Sequence, residues 1–112
     1  MGVEIKIDTK GLQTLAQSLS PLAIDSLVRA AAFDAEGGAK RLAPVDTGFL
    51  RSSLSTHMIG PARAEVGASA EYAAFIEFGT GKSHAQPFLT PASEAAIARL
   101  RQVLEIIFAR AS

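Results

Sequence analysis

The last part of the chain constrains the fold most, because a wide apolar stripe of helical period runs from Thr90 to Arg110. The apolar side chains recur every three or four residues and are Ala96, Ile97, Leu100, Val103, Leu104, Ile107 and Phe108. Charged and amide side chains occupy the opposite face. Thr90 is predicted to cap this helix, with Pro91 in its first turn and Arg110 in its last. The pattern predicts a long helix that packs one face on a core.

A second long helix is predicted after Ser20, because Pro21 suits a first helical turn. Its apolar positions repeat at the same spacing and are Leu27, Val28, Ala31, Ala35, Ala39 and Leu42. Their small side chains favour close approach to a neighbouring helix. Gly37 and Gly38 each weaken a helix by about 1 kcal/mol relative to Ala, so we expect a bend or a frayed end there. A shorter helix is predicted to precede this one. It would be capped by Asp8 or Thr9 and would run to Leu19.

Alternating patterns elsewhere predict strands. Near the N-terminus, apolar residues alternate with polar ones at Val3, Ile5 and Ile7. This alternation is typical of a strand with one face exposed to solvent. Residues 53–67 are predicted to form a β-hairpin that turns at Gly60-Pro61, with Leu50, Leu54, Thr56 and Met58 on one face. The segment "EYAAFIEFG" is predicted to be a short buried helix, with its aromatic side chains inward and Gly79 as its stop. Together these elements indicate an α+β fold in one domain, residues 1–112: a small antiparallel sheet (N-terminal strand plus β-hairpin) packed against two long helices and a short helix.

Composition excludes several classes of protein. Eleven basic and eleven acidic residues cancel, which argues against a protein whose main task is to bind nucleic acid through its phosphates. The chain has no cysteine, so disulfides and thiolate metal sites are excluded. The N-terminus lacks the apolar stretch of a signal peptide, and no run approaches a membrane span. We therefore expect a soluble cytoplasmic protein.

The stretch "EFGTGKSHAQPF" contains Gly-Lys-Ser, the end of a phosphate-binding loop motif. That motif needs a glycine where Ile76 stands, and a helix that begins at Lys82-Ser83. Pro87 and Pro91 interrupt any helix there. A small nucleotide- or nucleic-acid-binding module that uses the GTGKS loop remains the alternative interpretation.

No catalytic or metal-binding constellation is specific enough to predict a site. The ingredients of a hydrolase triad are present as Asp46, Ser52 or Ser53, and His57, but no Gly-x-Ser-x-Gly elbow frames either serine. The two histidines lack further ligands at helical spacing. Glu71 and Glu77 are interpreted as the ends of an amphipathic segment. We therefore expect no enzyme activity, no cofactor and no metal.

Two stretches stand out because they are rich in residues that form turns and loops. "APVDTG" concentrates Pro, Asp, Thr and Gly, whose separate backbone preferences agree on a rigid turn. The glycine-rich "GTGKSHAQ" is predicted to be a flexible exposed loop, closed by the stiff Pro87-Phe88-Leu89. A rigid turn and a mobile loop on a small domain suggest a scaffold that binds partners.

Three motifs resemble the tail-completion, or head–tail joining, proteins of tailed bacteriophages and prophages. They are "APVDTGFLRSSL", "VGASAEYAAFIEFGT" and "QPFLTPA", which together run from Ala43 to Ala92. The resemblance implies an α+β subunit that forms a ring at the head-proximal end of a long tail. It implies no enzyme activity and no cofactor. The "GKSHAQ" linker varies among such proteins, so its contacts cannot be transferred.

The resemblance also implies partners and interface residues. The partners would be further copies of the chain and other phage neck and tail proteins, without specific nucleic-acid or membrane contact. The protein would lie in the bacterial cytoplasm during assembly and then in the virion tail or neck. The implied motif or interface residues are Pro44, Asp46, Thr47, Gly48, Leu50, Arg51, Tyr72, Glu77, Gly79, Thr80, Pro87 and Phe88. Since the motifs carry both charges, we expect Arg51 and Glu77 to approach each other within or between subunits.

Overall fold

The computed structural model describes residues 2–44 and 48–111, which form three strands and five helices. In chain order these are β1 Val3–Ile7, α1 Gln13–Ala16, α2 Pro21–Leu42, α3 Phe49–Ser52, β2 Leu54–Gly60, β3 Arg63–Ala68, α4 Ala73–Phe78 and α5 Leu89–Ala111. One small antiparallel sheet and two long helices confirm the predicted α+β class.

The sheet has the strand order β1-β3-β2, and both pairings are antiparallel. Strand alternation buries Ile7, Val66 and Leu54 on one face, while Lys6 and His57 are exposed on the other. The one-sided strand and the hairpin predicted from the sequence are therefore confirmed. Leu50 is an exception, because it lies on the one-turn helix α3 before the strand begins.

The hairpin turn is tied to α2. The amide of Ala62, which has a φ of 54°, donates to the Asp25 carboxylate at 2.9 Å. This hydrogen bond, helped by Arg29 and opposed by partial burial, holds the pKa of Asp25 below its ordinary value. One side chain of α2 thus fixes the far end of the β2–β3 hairpin.

The helices α2 and α5 pack against each other in antiparallel fashion. The backbone at Gly38 lies so near Ala92 that a Cβ atom there would stand 3.1 Å from the alanine Cβ. Further along, Asp34 and Arg99 form an ion pair of 2.6 Å. As predicted, Ser20 and Pro21 begin α2, and the Ser20 hydroxyl accepts from the Ala23 amide. The helix does not fray at the two glycines, because α2 continues to Leu42 and Gly38 is buried in the helix contact. The bend expected there stays a prediction.

The short helix before α2 is shorter than predicted. It spans only Gln13–Ala16, and neither Asp8 nor Thr9 caps it. The Asp8 carboxylate instead accepts from the amide of Lys10, and the Thr9 carbonyl accepts from Leu12. These local turns compete with a helical start.

Residues 2–44 and 48–111 contain neither a membrane-spanning helix nor a cluster of metal-binding side chains. No helix there is long and apolar enough to cross a membrane. Nor does this part of the chain bring three His, Cys, Asp or Glu side chains together as a metal site would require.

Candidate functional site

Glu77 is a buried carboxylate that organises the start of α5. Its side chain is 3% exposed, although it lies on the six-residue helix α4. Its Oε1 accepts from the amides of Phe88 (3.1 Å) and Leu89 (2.8 Å), and its Oε2 accepts from the amide of Thr90 (3.0 Å). The first amides of a helix have no partner inside the helix and attract negative charge. Glu77 therefore caps α5 from a different helix.

Hydrogen bonding keeps this buried carboxyl ionised. Burial alone would raise the pKa of Glu77, since it disfavours the charged form. The hydroxyl of Thr90 and the three amides outweigh that effect, so the pKa lies below its ordinary value. The junction between α4 and α5 is therefore held by a fully hydrogen-bonded charge.

This cap corrects two predictions about the start of α5. The helix begins at Leu89, so Thr90 and Pro91 lie inside its first turn rather than at the cap and the first position. Proline is tolerated there because its missing amide would have had no helical partner. Glu77 supplies the capping oxygens, and no local sequence pattern would reveal this.

The orientation of α4 is the reverse of the prediction. The side chains of Phe75 and Phe78 are 60% and 69% exposed, whereas Ala73 and Glu77 face inward. Residues four apart share a helix face, so the small Ala73 and the capping Glu77 turn inward together. The expectation that the aromatic side chains of this segment are buried is wrong for both phenylalanines.

The exposed rings continue from α4 onto α3. Tyr72, Phe75 and Phe78 are spaced by three residues along α4, and the ring of Phe49 lies 6.2 Å from that of Tyr72. Phe49 is itself 58% exposed. We call Phe49, Tyr72, Phe75 and Phe78 the aromatic band. The Phe49–Tyr72 ring contact joins the motif of the turn to the motif of α4. Tyr72 is half-buried, whereas the three phenylalanines are exposed.

Residues of the turn and of α3 hold the elements that carry this band in place. Gly48 has a φ of 72° as the residue before α3, and Gly79 has a φ of 80° after α4, so the sequence argument for both glycines is confirmed. Leu50 is buried in the core. The Nε of Arg51 donates to the carbonyl of Lys40 at 3.1 Å, which ties α3 to the last turn of α2.

Some predicted site residues lie elsewhere. Pro44 is half-buried just after α2, and Asp46 and Thr47 fall outside the described residues. Phe88 is completely buried, while Pro87 is exposed beside Phe78.

Within the subunit, the expected pairing of Arg51 with Glu77 is wrong. Arg51 bonds to a backbone carbonyl, and the Glu77 carboxylate bonds to the first amides of α5. Because Glu77 is buried, a neighbouring subunit cannot reach it either without opening the junction.

The loop after α4 is exposed, as predicted, and several of its backbone groups are hydrogen-bonded. The Thr80 hydroxyl accepts from the amides of Lys82 and Ser83, and the Thr80 amide donates to the Ser83 carbonyl. The amide of Gln86 then donates back to Ile76. These bonds fold the loop onto the end of α4 and leave its side chains exposed.

This geometry does not provide a phosphate-binding loop. Lys82 is exposed, and no helix begins at Lys82-Ser83, because α5 starts only at Leu89. The amides at that helix start, which would hold an anion, are already bonded to Glu77. The Glu77 carboxylate already accepts the hydrogen bonds that a phosphate would need.

Of the triad ingredients, the structure describes Ser52, Ser53 and His57, and these three are not arranged for catalysis. The hydroxyls of Ser52 and Ser53 donate to the carbonyls of Phe49 and Leu50. His57 lies on the exposed face of the sheet, where its Nε2 is 3.4 Å from the hydroxyl of Ser55.

Sequence reasoning missed the exposed phenylalanines of α4 and the role of Glu77. One signal was present, since Ala73 and Glu77 are four residues apart. The face of α4 that carries both residues could have been considered as its buried face. Nothing in the sequence links Glu77 to Leu89 twelve positions later.

Comparison with known proteins gives one family match. Residues 9–79 match the family model described as "Bacteriophage HK97-gp10, putative tail-component". The match contains the turn motif and the α4 motif up to Gly79, and the "QPFLTPA" motif lies beyond it. No curated protein and no solved structure matched the chain. Since the match covers more than half of the chain, the protein belongs to the HK97-gp10-like family of phage tail components.

Proposed function

We propose that this protein is a structural virion-assembly subunit that forms a ring at the head-proximal end of a phage tail and helps to join the tail to the head. The family assignment supports a tail component, and the exposed aromatic band supports an assembly role. In this proposal the protein acts by binding other proteins and has no catalytic activity.

The observation that carries the proposal is the aromatic band. Taking about 200 Å² for a fully exposed aromatic side chain, its three phenylalanines expose roughly 370 Å². A standard protein interface buries about 800 Å² per partner, so these rings alone would supply nearly half of one side. Exposed apolar patches of this size commonly mark interaction sites.

The structure of the junction suits such a role. The band rests on α4, and Glu77 fixes α4 to the start of α5 through buried hydrogen bonds. A rigid support reduces the entropy that binding would otherwise cost. The partners in this proposal are other copies of the chain and the neck and tail proteins next to it in the virion.

Deletion of the gene from the phage that encodes the chain tests the proposal. We expect filled heads and separate tails in the lysate, counted by electron microscopy, and recovery of joined particles when the gene is supplied from a plasmid. A tagged copy should be found at the head-proximal end of purified tails by antibody labelling.

A matched pair of plasmid variants tests the part played by the band. Phe75→Ser should fail to restore joined particles, whereas Phe33→Ser should restore them, since Phe33 is similarly exposed on α2 but lies outside the band. Normal yields of infectious particles after deletion of the gene would contradict the proposed function.

A further inference from the structure

The molecule has a second apolar surface feature, a groove of about 160 Å³ between α2 and α5. We call it the α2–α5 groove, and its apolar lining comprises Leu27, Ala30, Ala31, Ala96, Leu100 and Val103. The groove exists because alanines line both helices where larger side chains would have filled the space. Val103 is 40% exposed and Ile106, one turn further along α5, is 55% exposed.

The aromatic band and the α2–α5 groove lie at different levels of the same helix. Phe78 lies beside Thr90 and Pro91 in the first turn of α5, whereas the groove extends along α5 from Ala96 to Val103. At 1.5 Å per residue, the groove begins about 8 Å beyond Pro91 along the axis, at Ala96, and ends about 18 Å beyond it, at Val103. Phe78 and the groove therefore lie at different positions along α5 in one copy of the chain.

We propose that the aromatic band of one copy, led by Phe78, docks into the α2–α5 groove of the next copy. This inference rests on the proposed ring function and specifies the contact that builds it. A contact between two different surfaces of the same chain is heterologous, and repeated heterologous contacts close into a ring when the rotation between neighbours allows it.

Three observations favour a second copy as the occupant of the groove. The groove lining is mainly apolar, so it suits an aromatic side chain better than a charged one. The band exposes roughly 370 Å², a size that often marks a binding surface, and this is less than half of the roughly 800 Å² that one partner buries in a standard interface, so a contact built on the band needs a further apolar surface such as the groove. The formal net charge of zero leaves little repulsion between copies.

Cysteine crosslinking tests the contact directly, because the natural chain has no cysteine. Phe78→Cys places a thiol on the band and Ala30→Cys places one in the groove, and both positions are exposed. Ala98→Cys is the control, since Ala98 is exposed on α5 but lines neither feature. The purified variants are oxidised singly, in pairs and as the Phe78→Cys/Ala30→Cys double variant, at increasing protein concentration.

The expected result is a crosslinked dimer when the Phe78→Cys and Ala30→Cys proteins are mixed, with at least tenfold less from either one alone. The double variant should give a ladder that extends beyond the dimer and ends at one size. Pairing of Phe78→Cys with itself or with Ala98→Cys as efficiently as with Ala30→Cys would overturn the contact. A double variant that stops at the dimer would overturn the head-to-tail arrangement.

The same variants in assembled tails separate this inference from the proposed function. If the chain is present in purified tails and the band-to-groove crosslink is absent there, the contact is wrong while the tail function stands. If the chain is absent from tails, the proposed function is wrong, and the crosslinks of the purified protein still decide the contact between copies.

Discussion

Helix α5 is held by two neighbours in opposite ways. Along α2 the buried contact is made mainly by apolar residues, and it is tightest where Gly38 meets Ala92. The Asp34–Arg99 ion pair joins the same two helices at the surface. At α4 the contact depends on the Glu77 carboxylate, which bonds to three amides at the start of α5. The buried part of the first contact depends on shape and the second contact on charge and hydrogen bonding, so different substitutions should break them.

The largest effect is expected at the charged junction. Glu77→Ala leaves three amides without their acceptor in a buried place, and it should lower the free energy of unfolding by about 3–4 kcal/mol. Glu77→Gln keeps one acceptor oxygen but presents an amide group to the other donor, and it should lower the free energy of unfolding by about 1–2 kcal/mol. Urea unfolding measures both. Glu94→Ala is the control, because Glu94 is exposed, and a loss there equal to that of Glu77→Ala would contradict the capping role.

The turn after α4 should be nearly as sensitive. Gly79 has a φ of 80°, and an added Cβ would stand 2.8 Å from the amide nitrogen of Ala85. Gly79→Ala should therefore cost about 2–3 kcal/mol, from backbone strain and from the close contact. Gly48 has a φ of 72° but no described atom within 4 Å of that position, so Gly48→Ala should cost only about 1 kcal/mol. Equal losses in urea unfolding would show that the contact with Ala85 adds nothing.

The apolar contact is tested by two adjacent glycines of α2. Gly38→Leu would force a side chain against Ala92 and should cost about 1–2 kcal/mol. Gly37→Leu meets only the flexible end of Arg41 and should stabilise α2 by about 0.5 kcal/mol. Opposite signs in thermal unfolding are expected. If both variants are stabilised, α2 and α5 are not closely packed at Gly38.

The parts of the molecule that could be predicted from the sequence are those that local patterns determine. The long helices, the hairpin and the one-sided N-terminal strand follow from periodicity, which is a local property of the chain. The small residues of α2 correctly indicated a close helix contact. The positive φ values of Gly48 and Gly79 were predictable because turn chemistry is also local.

The parts that were missed depend on distant partners. The burial of Glu77 requires the amides of Phe88 to Thr90, and a sequence pattern cannot pair a carboxylate with amides eleven to thirteen residues away. The inward orientation predicted for the phenylalanines of α4 relied on their hydrophobicity alone, whereas the bonds of Glu77 to α5 turn the opposite face of α4 inward. The aromatic band, which is the main candidate for assembly, was missed for this reason.

The smallest expected effect is a pH dependence that the charged junction should show and the apolar contact at Gly38 should not. Because the folded protein holds the pKa of Glu77 below its ordinary value, ionisation of this group stabilises the fold above that ordinary value. The stabilisation should be lost as the pH falls through the lower pKa of the folded state. Glu77→Gln lacks this titration, so the stability gap between it and the unsubstituted protein should narrow on acidification and cannot exceed the gap at pH 7. The Asp25 carboxyl, whose pKa is also lowered, is present in both proteins and cancels in the difference.

Urea unfolding of both proteins between about pH 7 and pH 3 measures the gap, and Gly38→Leu serves as the control because its cost should not change with pH. A gap that stays constant over this range would mean that the charge of Glu77 does not hold α4 to α5.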